Sequence, residues 1–172
     1  RYEGYELILK ILRYLYQIDA YISIAEVARE RGFVFAEALP LGGNILEIEG
    51  MFHPLIENAI PNSIQADAEH NVVFLTGANM AGKSTFMKTF GIVVYLAHMG
   101  FPLPVKKMRF SVQNGMYTTI NLPDNMMLGY SHFYAEVQRL KKVAEQVGRI
   151  GNLVIVFDEL FRGTNVKDAH EA

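Results

Sequence analysis

The sequence contains no cysteine among its 172 residues. A disulfide framework and thiolate metal sites are therefore excluded, and the absence mildly favours the cytosol. An excess of charge of either sign is also missing, since the formal net charge is −2. A protein that coats DNA without regard to sequence needs a surplus of Lys and Arg. The charge therefore argues against that role, but it leaves open a DNA-acting protein whose DNA contacts lie elsewhere.

Long hydrophobic runs without charge are absent too. The most apolar stretch, residues 5–24, is interrupted by four charged side chains. These are Glu6, Lys10, Arg13 and Asp19. Such a segment is unsuited to crossing a membrane, so we expect no membrane partner. The chain begins at Arg1 without a signal peptide or an initial Met, so we expect it to be cut from a longer protein.

The composition that remains is that of a globular protein, with 51% hydrophobic and 20% charged residues. This length fits one domain, or one domain plus part of a neighbour. Pro40, Gly42 and Gly43 interrupt the chain. They predict a boundary that separates a helical tail, residues 1–39, from a second unit, residues 40–172.

Apolar residues recur at helical spacing in the first segment, as at Ile8, Ile11 and Leu15. They predict one long helix, or two, ending before Gly32 and packing against a core. Further along, the pattern predicts strands and helices in alternation. The strands are residues 45–48, 72–76, 115–120 and 153–157, and the helices are residues 85–99 and 133–147. This alternation predicts an α/β architecture with a largely parallel sheet.

A glycine-rich segment lies between the predicted strand at 72–76 and the helix that follows. Its residues match the phosphate-loop pattern G-x-x-x-x-G-K-[ST] in full. They are Gly77, Ala78, Asn79, Met80, Ala81, Gly82, Lys83 and Ser84. The glycines let several N–H groups point into one concavity, at which the positive end of the helix is also aimed. We expect Lys83 to reach the β- and γ-phosphates of a nucleotide and the Ser84 hydroxyl to bind Mg²⁺.

Two carboxylates, Asp158 and Glu159, follow the predicted strand at 153–157. The carboxyl end of a parallel strand borders the crevice where such sheets bind ligands. An Asp-Glu pair alone usually marks only a solvated strand end. Because this pair follows a phosphate loop by about 75 residues, we expect Asp158 to hold Mg²⁺ and Glu159 to orient or deprotonate the attacking water.

Three motifs, in order along the chain, resemble those of the MutS DNA mismatch-repair ATPases. Residues 76–85, T-G-A-N-M-A-G-K-S-T, resemble the family's T-G-P-N-M-G-G-K-S-T and add Thr85 to the implied ATP-binding residues. Residues 158–165, D-E-L-F-R-G-T-N, are similar to D-E-L-G-R-G-T-S. Residues 128–136, L-G-Y-S-H-F-Y-A-E, resemble the signature S-G-R-S-T-F-M-x-E. Residues 50–54 are similar to the R-H-P element, and residues 18–34 to the end of the lever helices.

Several positions depart from the family pattern. Tyr130 and His132 replace Arg and Thr of the signature, and Phe161 and Ala81 replace glycines. Ala59 stands where many members carry an aromatic residue that stacks on adenine. These changes indicate a divergent branch of the family.

The resemblance implies a P-loop NTPase fold of the ABC-ATPase type, with a largely parallel sheet flanked by helices and preceded by a helical segment. It also implies ATP and Mg²⁺ as cofactors, and ATP hydrolysis that is weak in this piece alone. The longer protein would form a homodimer through this part and hold mismatched or branched DNA through other regions. Its location would be cytoplasmic and associated with the nucleoid.

The resemblance assigns roles to three further residues. Asn79 would contact the γ-phosphate or the attacking water, although Asn also tolerates the unusual backbone angles of such loops. Ser131 would cap the helix beginning at His132 and present that helix to the γ-phosphate bound by a partner subunit. Glu136 is the kept acidic residue of the same signature.

Two other functions stay open at this point. One is an ABC-like motor that acts on membranes or chromosomes, although the transporter signature L-S-G-G-Q is absent from this sequence. The other is a switch that binds ATP with negligible hydrolysis, against which the presence of Glu159 argues.

Overall fold

The computed structural model describes residues 2–120, 132–158 and 160. Its first element is a helix, α1, at Tyr2–Arg31. Gly32 follows in the left-handed conformation, φ 68°, which glycine adopts readily and which ends helices. This confirms the long helix predicted to end before Gly32.

The apolar side chains of α1 are exposed, so the expectation that this helix packs on a core is wrong for the described part of the chain. Ile8, for example, is 57% exposed and Leu15 is 55% exposed. Helical periodicity shows which face is apolar but not what covers it. None of the described helices is long and apolar enough to cross a membrane.

A mixed four-stranded sheet follows, in the order β1-β4-β2-β3. Its strands are β1 Glu37–Leu39, β2 Leu46–Met51, β3 Asn62–Ala66 and β4 Lys107–Ser111. β1 and β4 are parallel, whereas β2 is antiparallel to both β3 and β4. The strand predicted at 45–48 is confirmed as part of β2. β1 lies before residue 40 and pairs with β4, so this sheet contains residues from both sides of the boundary proposed near residue 40. The boundary itself stays a prediction.

Charged side chains cross-link the four-stranded sheet at its surface. Arg109 donates hydrogen bonds to Glu37 and Glu47, each at 3.1 Å. Lys106 forms an ion pair with Glu49, which raises the pKa of Lys106 and lowers that of Glu49. Both partners of this pair are largely exposed, so it contributes little to stability.

The remaining strands, β5 Gly115–Thr119 and β6 Leu153–Phe157, form a separate two-stranded parallel sheet. Two helices accompany it, α2 at Lys83–His98 and α3 at His132–Ile150. All four elements lie where the sequence predicts them, and the bounds of β6 match the prediction. Strong local apolar patterns, bounded by glycines, made these elements predictable.

The buried core forms around α2. Phe90, Val93 and Val94 of this helix belong to one cluster with Ile48 and Met108 of the four-stranded sheet. Val156 of β6 belongs to the same cluster. A Cβ on Gly91 would lie 4.0 Å from the Thr118 side chain, so glycine permits a close approach of α2 to β5. The helix that follows the glycine-rich loop is therefore fixed by buried contacts.

The predicted fold class, a P-loop NTPase fold of the ABC-ATPase type with a largely parallel sheet, is wrong for the residues that the structure describes. Their strands form the mixed sheet and the small parallel pair instead. The segment at 72–76, expected as a buried parallel strand, pairs with no strand among the described residues, and Phe74 is 88% exposed. Its β-favouring composition gives a local preference, but a strand also needs partners, which local pattern does not specify.

Candidate functional site

The glycine-rich loop leads directly into α2. Gly82, the residue before the helix, has φ 92° and ψ 11°, a left-handed conformation that suits glycine. Met80 also has a positive φ, 65°, which is uncommon for a residue with a side chain. The unusual backbone therefore falls on Met80 and Gly82 and not on Asn79, so the structure gives no backbone reason for asparagine at position 79.

The N-terminus of α2 is open to an anion. Gly82 provides no side-chain cap, and the first turn contains no acidic residue. The first N–H groups of a helix have no partner within the helix, and the helix dipole adds positive potential there. Such an end binds phosphate groups readily.

Lys83, the first residue of α2, bends back over the loop. Its Nζ donates hydrogen bonds to the carbonyl oxygens of Gly77, at 2.7 Å, and Ala78, at 2.9 Å. The ammonium group is thus held above the loop by the backbone at the loop's start. Phosphate oxygens placed there would be within reach of the same group, with a small movement of the flexible side chain.

A cleft of about 390 Å³ lies beside the loop, within the size range of small-molecule sites. One wall comes from the loop and α2, and includes Gly82, Lys83 and Phe86. The opposite wall comes from the segment at 51–62 and includes Ala59. Ala59 is half-buried there, so the position singled out from the sequence does line the cleft.

The wall at 52–54 is anchored to the end of α1. Arg31 donates a hydrogen bond to the carbonyl oxygen of Pro54 at 2.6 Å. The rings of Phe33 and Phe52 pack edge to face, with centroids 5.9 Å apart. Sequence reasoning missed these contacts. The sequence signal that pointed to this wall was the similarity of residues 50–54 to the R-H-P element of the family.

Asp158 directly follows β6 and is half-buried. Val154 and Val156 pack on the core that contains α2. The strand that precedes Asp158 is therefore packed on the core that contains α2. Glu159 lies outside the described residues.

The predicted signature residues flank the start of α3. The helix begins at His132, and Glu136 is half-buried within it. Ser131, the predicted cap, lies outside the described residues, so its role stays a prediction.

These features are typical of proteins that bind nucleoside phosphates: a complete phosphate-loop sequence, an uncapped helix start and an acidic residue at a strand end. The family model for MutS domain V matches residues 73–171, which include all of these features. The chain belongs to the MutS family, as its motifs predict.

Individual relatives agree with this assignment. The chain is 31% identical over 166 residues to the DNA mismatch repair protein MutS of Thermus aquaticus, covering 95% of this chain and 20% of the relative. It is 32% identical over 165 residues to the protein of that name from Desulforamulus reducens, covering 92% and 18%. DNA mismatch repair protein MutS 1 of Halobacterium salinarum is 32% identical over 159 residues, covering 91% and 18%. The chain thus spans about a fifth of the length of these curated relatives.

Proposed function

We propose that this chain binds and hydrolyses ATP with Mg²⁺, as part of a MutS-like protein that acts in DNA mismatch repair or a related DNA process. The observation that carries the proposal is the loop at 77–84, which matches the phosphate-loop pattern and leads into the uncapped start of α2. The backbone amides of this loop and of Thr85 would surround the phosphates. Lys83 would contact the β- and γ-phosphates.

The two proposed ligands are of the types that Mg²⁺ prefers. Ser84 offers a hydroxyl and Asp158 a carboxylate, and Mg²⁺ in nucleotide sites typically binds one or two protein oxygens together with phosphates and water. Among the described residues, no three His, Cys, Asp or Glu side chains are grouped so that they could hold a metal ion. Bound there, Mg²⁺ would neutralise charge on the phosphates.

Hydrolysis requires a group that activates water. We assign this role to Glu159, next to Asp158, with Asn79 contacting the γ-phosphate or the water. One carboxylate would not both bind Mg²⁺ and activate water, because a carboxylate bound to Mg²⁺ is a poor base.

The longer protein would act as a pair of identical subunits in the cytoplasm, associated with the nucleoid. Ser131 and Glu136 of one subunit would face the nucleotide held by the loop of the other. The names of the relatives support a role in mismatch repair, with mismatched or branched DNA held by regions outside this chain.

Glu159→Gln in the full-length protein tests this assignment. The substitution keeps the shape of the side chain and removes the base, so Mg-ATP should still bind while hydrolysis slows by roughly 10²-fold. Glu145→Gln, an exposed position on α3, is the matched control and should leave turnover unchanged. Unchanged turnover in Glu159→Gln would transfer the role to another residue, and parallel loss in both variants would indicate a structural effect.

A further inference from the structure

The second half of α3 carries a concentration of positive charge. Its exposed cationic side chains all lie within residues 139–149. They are Arg139, Lys141, Lys142 and Arg149. A single exposed carboxylate, that of Glu145, lies among them. This segment is therefore locally basic, although the formal net charge of the whole chain is −2.

These cations lie on the side of α3 that faces away from the rest of the molecule. Side chains three, four or seven positions apart on a helix share a face, so Lys142 and Arg149 lie together. Val143, which is 7% exposed, and the half-buried Leu140 mark the packed side. We call the four exposed cations the basic face of α3.

No ion pair neutralises the basic face within the described part of the chain. Lys106 and Arg109 of the four-stranded sheet, by contrast, are paired with glutamates. Glu145 stands four residues from both Lys141 and Arg149, a spacing that permits ion pairs on a helix, yet it forms none with them. The cations are therefore available to an anionic partner.

The local charge decides the attraction of such a partner. At physiological ionic strength the Debye length is about 8 Å, so exposed charges further apart than this are largely screened from one another. Acidic side chains on distant elements therefore do little to repel an anion that lies against α3. The net charge of −2 argues against a chain that is basic all over, but it leaves a local basic surface effective.

The length of the basic face suits the backbone of duplex DNA. Arg139 and Arg149 are separated by roughly 15 Å along the axis, since a helix rises about 1.5 Å per residue. One DNA strand presents a phosphate about every 3.4 Å of axis, so about four phosphates lie alongside this length. Arg, Lys and Gln side chains commonly contact phosphates, and the half-buried Gln138 and Gln146 lie in the same stretch.

We propose that the basic face of α3 is a contact surface for the sugar–phosphate backbone of duplex DNA. Contacts to phosphates position a protein on DNA without reading its sequence. The face would add to the DNA contacts made by regions outside this chain. The inference rests on the DNA role in the proposed function, but it does not depend on ATP binding by the loop at 77–84.

Fluorescence anisotropy of a labelled duplex of random sequence, titrated with this chain at several salt concentrations and without nucleotide, provides the test. The dissociation constant should be on the order of 10⁻⁶ to 10⁻⁴ M at physiological salt, as for other contacts that do not read sequence. Four phosphate contacts should give a slope of about −3.6 for the logarithm of the association constant against that of the salt concentration. Absence of binding at low salt would overturn the inference.

A triple variant tests whether the basic face is the surface that binds. Arg139→Gln, Lys142→Gln and Arg149→Gln, combined, remove three charges and keep long side chains that favour helix. The salt slope should fall to about −0.9, and binding at low salt should weaken by at least tenfold. Circular dichroism of the variant checks that the helix is retained.

The matched control removes the same charge from other elements. It combines Lys10→Gln, Lys88→Gln and Lys107→Gln, at three exposed positions on α1, α2 and β4. The control should keep the parental salt slope, because these lysines lie outside the basic face. An equal loss of DNA binding in the two triple variants would show that overall charge is responsible and would contradict the inference.

A second anionic ligand separates DNA from an acidic protein partner. If polyglutamate bound the chain more tightly than duplex DNA at equal salt, the assignment of the face to DNA would be wrong. Because no nucleotide is present in these titrations, their failure would leave the proposed ATP binding untouched. Loss of ATP binding in a separate calorimetric experiment would overturn that proposal and leave the DNA contact standing.

Discussion

Individual side chains join the strands on which α2 packs. This is the helix that follows the glycine-rich loop. Ser111, at the end of β4, is 1% exposed, and its Oγ accepts a hydrogen bond from the N–H of Ile45 at 3.1 Å. The N–H of Ser111 in turn donates to the carbonyl of Ile45 at 2.7 Å. This reciprocal pair fixes the start of β2 against β4, and buried N–H groups are costly to leave unsatisfied.

Ser111→Ala should lower the free energy of unfolding by about 1–3 kcal/mol, because the N–H of Ile45 loses its acceptor in a buried place. Ser63→Ala is the control, since Ser63 accepts a comparable bond from Gly50, at 3.0 Å, in an exposed place where water can substitute. Urea denaturation with unchanged slope measures both. Equal losses in the two variants would contradict the argument from burial.

The site residues were predictable only where the pattern is local. Phosphate binding could be predicted for residues 77–84 from sequence alone. The motif requires glycines, a Lys and a Ser at fixed spacing around one phosphate, and Lys83 and Ser84 stand at that spacing. The bend of Lys83 onto Gly77 and the left-handed angle at Met80 have no such sequence signal. They depend on how the loop closes in space.

At the scale of elements, α1 and the cleft are physically connected. Arg31, in the last turn of α1, holds the carbonyl of Pro54, and Phe33 packs on Phe52. The contact joins residues 23 apart in sequence. The end of this helix thus positions one wall of the cleft.

Arg31→Ala should therefore weaken Mg-ATP binding by about three- to tenfold, because the segment at 52–54 loses its anchor to α1. Arg31→Lys should restore part of the affinity, since an ammonium group can also donate to Pro54. Arg29→Ala, an exposed position in the same helical turn, is the matched control. Equal affinities in Arg31→Ala and Arg29→Ala, measured by calorimetry, would show that the anchor has no effect on the cleft.

Elements with strong local patterns were predictable, and their partners were not. α2 and β6 combine apolar periodicity with clear ends, so their positions follow from sequence. The strand predicted at 72–76 failed because pairing is decided by distant segments. The prediction that α1 packs on a core was wrong for the same reason. Helical periodicity shows which face of a helix is apolar, but it does not show which element covers that face.

For the whole molecule, the proposal requires two subunits. Under the proposed function, Ser131 of one subunit would face the nucleotide that the loop of the other subunit holds. ATP would then favour pairing, because it binds the pair better than the separate subunits.

Mixing two inactive variants of the full-length protein tests this arrangement. Ser131→Arg and Lys83→Ala should each be inactive as homodimers, because both composite sites are then broken. The mixed dimer should regain one intact site and about half of the parental ATPase activity per dimer, if the two sites act independently. Heterodimers that form without recovery of activity, or an active Ser131→Arg homodimer, would contradict the model.

Calorimetry of Mg-ATP binding to Lys83→Ala shows whether the loop at 77–84 binds the phosphates of ATP. Among the described residues, the ammonium group of Lys83 donates to the loop carbonyls of Gly77 and Ala78, so its loss should abolish measurable binding and leave the fold intact. Lys88→Ala, an exposed lysine further along α2, is the control and should bind as the parent does. Binding by Lys83→Ala as tight as that of the parent chain would show that the loop does not hold the phosphates.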